Sequence, residues 1–176
     1  MRTRSVIALS ATAGTAAALL ALAPAAGAQP SSAARTPTCA ESALTVKASA
    51  ADKPGVLRVS VTNRTDRTCA VDRVPTVTFG TLDGAAQPVP ATESAPYRIA
   101  AGRTAYAAVR TAADPSDTHA RLVDFVTVAG DPSHQGRQFT DDQLGLPQGV
   151  RVWEPVTTWW HPTRAKADTA LENATR

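Results

Sequence analysis

The sequence predicts a small all-β sandwich domain held by one disulfide, and three observations carry this prediction. Between residues 39 and 160, apolar and polar side chains alternate at a period of two over many short segments, which is typical of half-buried strands. Turn residues separate these segments at near-regular intervals, as in sandwiches and barrels. No window in the same range has the spacing of an amphipathic helix. We therefore expect about seven to eight antiparallel strands.

The first residues have the pattern of a secretory signal peptide. Arg2 and Arg4 form a positive start without an acidic residue, an apolar run covers positions 6–22, and Ala26-Gly27-Ala28 supplies the small residues that a signal peptidase accepts. We expect residues 1–28 to be this signal peptide, with cleavage after Ala28 and a secreted, extracellular product. An uncleaved membrane anchor is the alternative, but a spanning helix needs roughly 20 mainly apolar residues, and polar residues interrupt this shorter run.

Removal of the leader changes the charge balance. The whole chain has 18 basic and 15 acidic residues, and the leader holds two arginines and no acid, so the mature chain is close to neutral. Its arginines are scattered singly, whereas nucleic-acid binding favours a concentrated basic stripe. We expect one monomeric domain with a real core, without a nucleic-acid partner and without a stable membrane anchor.

Residues 29–38 are small and polar with two prolines, and they predict a flexible linker because they cannot bury enough apolar surface to order themselves. A β-sandwich domain follows over residues 39–162. Its predicted strands share period-two alternation and lie near residues 44–48, 57–62, 76–79, 89, 97–99, 104–109, 122–128 and 150–160. The run 122–128 is more continuously apolar and favours a central strand. The polar tail, 163–176, is either a short helix or disordered.

Cys39 and Cys69, the two cysteines of the chain, predict a disulfide because cysteine pairs of exported proteins are oxidised outside the cytosol. Cys39 precedes the first strand and Cys69 follows the second strand and its turn, so antiparallel pairing brings both to one end of the sheet. Such a bridge contributes about 3–4 kcal/mol in the loop-entropy model. Two free thiols or an intermolecular pair are the alternatives.

Several residues follow a family pattern. They are an opening cysteine, a strand ending in Thr-Asn, a second cysteine, a proline before the next strand, an aspartate-glycine turn, and a glycine with a small residue three positions later, namely Cys39, Thr62, Asn63, Cys69, Pro75, Asp83, Gly84, Gly102 and Ala105. Over residues 39–130 the chain resembles the uncharacterised exported family called domain of unknown function 4232, seen mainly in actinobacteria. The resemblance implies an immunoglobulin-like β-sandwich, export and no assigned activity.

The chain departs from that family pattern at two places. Arg73-Val74 stands where a glycine-aromatic pair usually precedes the proline, and a second cysteine pair found in many members is missing. Because both partners of that second pair are missing together, the first bridge is still expected, but the second half of the domain lacks a cross-link.

No residue set specifies a reaction. A serine-type site needs a nucleophile, a base and an orienting acid, but the chain has no Gly-x-Ser-x-Gly elbow, and His119, His134 and His161 lie among loop-like residues and are expected to be exposed. Asp114–Asp117 and the pair Asp141-Asp142 match no metal-binding spacing, and no pair of acids is selected for glycoside hydrolysis. We therefore expect that the protein is not an enzyme, has no catalytic residue and binds neither a cofactor nor a metal. The two glycosylation sequons, at Asn63 and Asn173, match a triplet that recurs by chance.

Trp153, Trp159 and Trp160 lie within eight residues of an otherwise aromatic-poor chain. On one strand, Trp153 and Trp159 share a face and Trp160 takes the other. One face can then fill the core while the other forms a binding surface for a sugar ring, a peptide or an apolar partner. The alternative is that all three rings supply bulk to a core of alanine and valine, and this alternative is favoured.

The sequence therefore predicts a secreted, non-catalytic binding or interaction module, with another extracellular protein or a cell-wall polymer as partner. A secreted protease inhibitor is the first alternative, because residues 85–96, with three prolines, can form a rigid presented loop. A hydrolase is the second alternative.

Overall fold

The computed structural model describes residues 36–91, 95–114 and 116–176. The predicted signal peptide and most of the predicted linker lie outside these residues. Twelve strands, two α-helices and one 3₁₀ turn form the described fold. The 3₁₀ turn, Glu41–Ala43, comes first, and the other elements follow in chain order: β1 Leu44–Ala50, β2 Val56–Asn63, β3 Cys69–Val71, β4 Thr76–Phe79, β5 Gln87–Val89, β6 Tyr97–Ile99, β7 Thr104–Arg110, β8 Arg121–Val123, β9 Phe125–Ala129, β10 Arg137–Thr140, α1 Asp141–Leu144, β11 Val150–Val152, β12 Val156–Thr158 and α2 Arg164–Ala174.

Two sheets form the sandwich. One has the order β1-β2-β7-β12-β5 and the other the order β10-β9-β4, while β11-β8 and β3-β6 form two small ribbons. Immunoglobulin domains place strands A, B and E in one sheet and strands C, F and G in the other. Here β1, β2 and β7 take the A-B-E positions, and β4, β9 and β10 take the C-F-G positions. The prediction of an immunoglobulin-like β-sandwich is confirmed, with β12 occupying the place beside β7.

Alternation in β2 explains why this strand lies at the centre of the core. Leu57, Val59 and Val61 are buried, and they stand opposite Val109, Ala107 and Ala105 of β7. Val77 and Phe79 of β4 stand opposite Val128 and Val126 of β9. These inner faces form one hydrophobic core. Burial of one face and solvation of the other fixes the register, because a slip by one residue would turn every apolar side chain outward.

The predicted disulfide is present between Cys39 and Cys69. Its position is reinforced by the backbone, because the N–H of Cys39 donates to the carbonyl of Ala70 at 2.8 Å and the N–H of Ala70 donates to the carbonyl of Pro37 at 2.8 Å. Ordered pairing therefore starts at Pro37, two residues before the first cysteine and inside the stretch predicted as linker.

Two predicted strands are each divided in the structure. The run 122–128 forms β8 and β9, which pair with different partners, and the intervening Asp124 carbonyl accepts from the N–H of Asp141. The last predicted strand, 150–160, divides into β11 and β12, which belong to different sheets. These breaks, with the short β3 and β10, explain why the structure has more strands than the seven to eight predicted.

Two helices add to the strands. The one-turn α1 lies inside the range where no helix was predicted, and a capping box between Thr140 and Gln143 starts it. Of the two alternatives for residues 163–176, the structure shows the helix. In α2, Ala167 and Leu171 pack against Val56 and Ala108 on the outer face of the five-stranded sheet.

Asn63, at the end of β2, is fully buried. Its side-chain amide donates to the carbonyls of Arg67, at 2.7 Å, and Ile99, at 3.0 Å, and its oxygen accepts from the N–H of Thr65 at 2.9 Å. These bonds tie the turn after β2 to β6. The first glycosylation sequon is therefore a structural anchor, since its amide is neither accessible nor free.

Candidate functional site

The structure separates the three tryptophans of the sequence cluster. Trp160 is 1% exposed and belongs to the core, while Trp153 is 38% exposed and is one of two exposed large apolar side chains among the described residues. Trp159 is half-buried. The set therefore divides between the core and two different surface environments, so the favoured interpretation that all three rings fill the core is wrong for Trp153.

The predicted sharing of one face by Trp153 and Trp159 is also wrong, and Glu154 is the physical reason. Within the described ranges it is the one non-glycine residue with a positive φ, 47°. A left-handed backbone costs a non-glycine residue roughly 1–2 kcal/mol, and such strain is concentrated at functional sites. This turn ends β11, redirects the chain into another sheet, and leaves the Trp153 and Glu154 side chains beside each other at the surface.

An open cleft of about 530 Å³ lies beside Trp153, within the size range of small-molecule sites. The turn after β4, the start of β5, the start of β8 and the link between β11 and β12 form its walls. Its lining combines apolar and aromatic side chains with four polar ones. The apolar and aromatic residues are Phe79, Leu82, Val152, Trp153, Pro155 and Val156, and the polar residues are Asp83, Gln87, Arg121 and Glu154.

The walls of this cleft are fixed by the backbone. Gly80 has φ 53°, and a Cβ at this position would lie 2.9 Å from the Cβ of Val123, so only glycine lets the turn after β4 approach β8 this closely. On the opposite wall, the N–H of Gln87 donates to the carbonyl of Pro155 at 2.8 Å, and the N–H of Trp153 donates to the carbonyl of Thr111 at 2.8 Å. The cleft is therefore built by the fold and does not depend on a loose loop.

His119 orients the Trp153 ring. The two ring centroids are 5.4 Å apart with their planes tilted by 31°, and Nδ1 of His119 lies 3.0 Å from the Asp117 carboxylate. Hydrogen bonds from the backbone N–H and the ring of His119 lower the pKa of Asp117, so this carboxylate is ionised at neutral pH. The series Asp117, His119 and Trp153 therefore supports the aromatic wall from outside the cleft.

Of the three histidines that the sequence placed in exposed loops, only His119 is exposed. His134 is half-buried, and its Nε2 lies 3.1 Å from the carbonyl oxygen of Cys39. The backbone of His161 exchanges hydrogen bonds with Tyr106, and burial, together with the nearby Arg73 and Lys166, lowers its pKa. The expectation of exposure is wrong for these two, because His134 packs against the segment that carries Cys39 and His161 pairs with β7.

The other candidate residues form local turns. Asp114 accepts from the N–H and the hydroxyl of Ser116, and these hydrogen bonds lower its pKa. Asp141 and Asp142 lie in the first turn of α1. Within residues 36–91, 95–114 and 116–176, no group of three or more histidine, cysteine or carboxylate side chains is arranged to hold a metal ion.

The stretch 85–96, predicted as a presented loop, begins inside the sheet. Ala86 is buried, and β5 pairs in parallel with β12. Nε1 of Trp159 donates to the carbonyl of Pro90 at 3.1 Å. The first part of the predicted loop is therefore an edge strand of the five-stranded sheet. Residues 92–94 of the predicted loop lie outside the described part of the chain.

Sequence reasoning missed most of the cleft. Asp83, Gln87, Arg121 and Glu154 come from four segments that meet only through the sheet topology. The local signals were the density of tryptophan and the Asp83-Gly84 turn. The left-handed conformation of Glu154 carries no sequence signal, because glutamate rarely adopts it.

The molecule is thus an immunoglobulin-like β-sandwich with an aromatic cleft at one side. The family model described as "Domain of unknown function (DUF4232)" matches residues 39–160, more than half of the chain, and the chain belongs to this family. No curated protein and no solved structure matches it. No helix among the described residues is both long and apolar enough to cross a membrane.

Proposed function

We propose that the protein is an exported, non-catalytic binding domain whose cleft beside Trp153 holds a sugar ring of a cell-wall polymer. The observation that carries this proposal is the cleft itself, where an exposed indole adjoins two carboxylates, a guanidinium and an amide. Sugar rings offer an apolar C–H face and a rim of hydroxyl groups. The indole suits the face, since its π-system is flat and polarised, and the polar side chains suit the rim.

Three features support the exported, non-catalytic part of the proposal. The chain begins with a signal-peptide pattern, and a disulfide is a bond that oxidising, extracellular compartments maintain. Among the described residues that line the cleft there is no histidine, cysteine or serine that could act as a base or nucleophile.

The direct test is retention of the mature protein on insoluble cell-wall material and titration with soluble wall polysaccharide, followed by tryptophan fluorescence. Trp153→Ala should weaken binding about tenfold or more, the loss expected for a central aromatic contact. Glu154→Gln, which keeps the side-chain shape but removes the charge, should weaken it by a smaller factor.

Leu122→Ala is the matched control, because Leu122 is 57% exposed but does not line the cleft. It should bind as the wild type does, and all three variants should keep the wild-type circular-dichroism spectrum. Equal binding by wild type and Trp153→Ala would refute the proposal. Binding to proteases or to other extracellular proteins, with no retention on polysaccharide, would replace it with a protein-partner function.

A further inference from the structure

We propose that a second surface site, made by Arg73 together with the rings of Trp159 and Tyr97, binds an oxyanion (a phosphate or carboxylate group) of an acidic extracellular polymer. We call this set of three residues the arginine site. It lies where Trp159 follows β12, whereas Trp153 precedes that strand, and it goes beyond the function proposed for the cleft.

The Arg73 side chain is held in place by aromatic rings. Its Cζ lies 4.4 Å from the ring centroid of Trp159 and 5.7 Å from that of Tyr97, within the range of cation–π contacts. Trp159 is itself fixed, since its Nε1 donates to the carbonyl of Pro90. A guanidinium held in this way loses little further rotamer freedom when it binds a ligand.

The backbone of Arg73 is fixed as well. Its carbonyl accepts from the N–H of Trp160 at 3.1 Å, and its own N–H donates to the carboxylate of Asp72 at 2.7 Å. That carboxylate therefore accepts from the main chain at this turn and forms no ion pair with the guanidinium.

The guanidinium has no oxygen partner within the described ranges. No ion pair there involves Arg73, and its Nε is buried without an acceptor. By contrast, Arg58 lies 3.0 Å from the Asp168 carboxylate and 3.4 Å from that of Asp52. Nε itself is too deeply buried for a ligand to reach. The two terminal nitrogens of the guanidinium are not among the buried unpartnered atoms, and these are the donors that an incoming oxyanion would engage.

Further positive charge lies close to the site. Burial is the largest cause that lowers the pKa of His161, and the positive charges of Arg73 and Lys166 lower it further. Desolvation raises the pKa of Tyr97, opposed by Arg73, so the phenol stays neutral near pH 7 and can donate a hydrogen bond. This combination favours an anion, and the planar arginine fork suits the paired oxygens of carboxylate and phosphate.

The test titrates the folded mature protein at low salt with inorganic phosphate, polyphosphate, polygalacturonate and neutral dextran. Calorimetry and tryptophan fluorescence report affinity, and the ¹⁵Nε signal of Arg73 reports the site. Arg73→Gln should weaken polyanion binding about tenfold, and Arg73→Lys should fall between this variant and wild type, because lysine keeps the charge but not the fork. The polymer that binds more tightly identifies phosphate or carboxylate as the source.

Arg103→Gln is the matched control, because Arg103 is exposed and its loss removes the same charge elsewhere. It should change affinity by less than about twofold. Equal weakening by both glutamine variants would overturn the proposal as general charge attraction, and so would an absence of polyanion binding by wild type.

A single-stranded DNA that binds better than either polymer in an Arg73-dependent way would overturn the polymer assignment. The two sites are separable, since Trp153→Ala should leave polyanion affinity unchanged and Arg73→Gln should leave neutral-polysaccharide binding at the cleft unchanged. Circular dichroism checks folding, and Arg73→Lys serves as the test variant if Arg73→Gln does not fold.

Discussion

At the scale of single residues, His161 lies between the five-stranded sheet and α2. Its backbone pairs with Tyr106 of β7, with N–H to carbonyl distances of 2.7 and 2.8 Å, and the ring is half-buried. Burial penalises its protonated form first, and the positive charges of Arg73 and Lys166 penalise it further. The pKa of His161 is therefore lower in the folded protein than in the unfolded chain.

This lowered pKa makes stability depend on pH. As the pH falls through about 6.5, the unfolded chain protonates His161 while the folded protein resists, so the free energy of unfolding decreases until the folded pKa is passed. His161→Asn should remove this component. Urea unfolding at pH 8 and pH 5 should show a larger loss for wild type than for the variant. Equal losses would show that His161 contributes nothing to the pH dependence.

Single residues also show where sequence reasoning reached its limit. Three tryptophans in a short run indicated a special region, but nothing local distinguishes the buried Trp160 from the exposed Trp153. Between them lies the left-handed Glu154, and the strands on its two sides, β11 and β12, belong to different sheets. Asn63 likewise has a sequon around it, and only the partners on β6 and the following turn reveal its structural role.

At the scale of elements, α2 covers the outer face of the sheet, which would otherwise expose Val56 and Ala108. Thr163 caps its first turn by accepting from the N–H of Lys166. The Arg58–Asp168 ion pair, at 3.0 Å, joins the helix to β2. Ala167 and Leu171 are the buried residues of the helix, so its docking depends on these two apolar side chains.

Leu171→Ala should therefore destabilise the domain by about 2–3 kcal/mol, because truncation leaves a cavity between helix and sheet. Urea unfolding measures the loss, and hydrogen exchange should show faster exchange of α2 amides than of β2 amides. Glu172→Ala, at the exposed neighbouring position, is the control and should change stability by less than about 0.5 kcal/mol. A similar effect of both variants would mean that α2 does not dock through Leu171.

Elements with clear sequence alternation were predictable, as in β2 and β4, where buried residues alternate with more exposed ones. The same alternation holds over most of β1 between half-buried and exposed positions, and in β7 it is interrupted only at Ala108, which α2 covers. The three residues of β3 are all buried and too few to show a period. The break at Asp124 lies inside a run, 122–128, that is otherwise mostly apolar and was therefore predicted as one strand. The parallel pairing of β5 with β12 joins segments about 70 residues apart, and only three-dimensional packing determines such pairings.

At the scale of the whole molecule, one core joins the two sheets, and the disulfide ties the segment before β1 to the start of β3. The bridge spans 30 positions and closes the β1–β2 hairpin into a loop. Both sulfurs are in the core, with Cys39 2% and Cys69 7% exposed. The bridge therefore restricts the unfolded chain and also fills space between the sheets.

Replacing both cysteines by alanine should lower the free energy of unfolding by about 3–4 kcal/mol, the loop-closure contribution of a bridge of this length. The β1–β2 register depends on seven opposed residue pairs and on side-chain burial, so the variant should keep the wild-type β spectrum while its urea midpoint falls.

Reduction of the wild type should give the same loss, which separates the effect of the bond from that of the substituted side chains. Under non-reducing conditions the wild-type mass should be two units below that of the reduced chain, since one bond replaces two S–H hydrogens. Unchanged unfolding in both experiments would mean that the packed sheets alone hold the opening strands, and that the bridge contributes no stability.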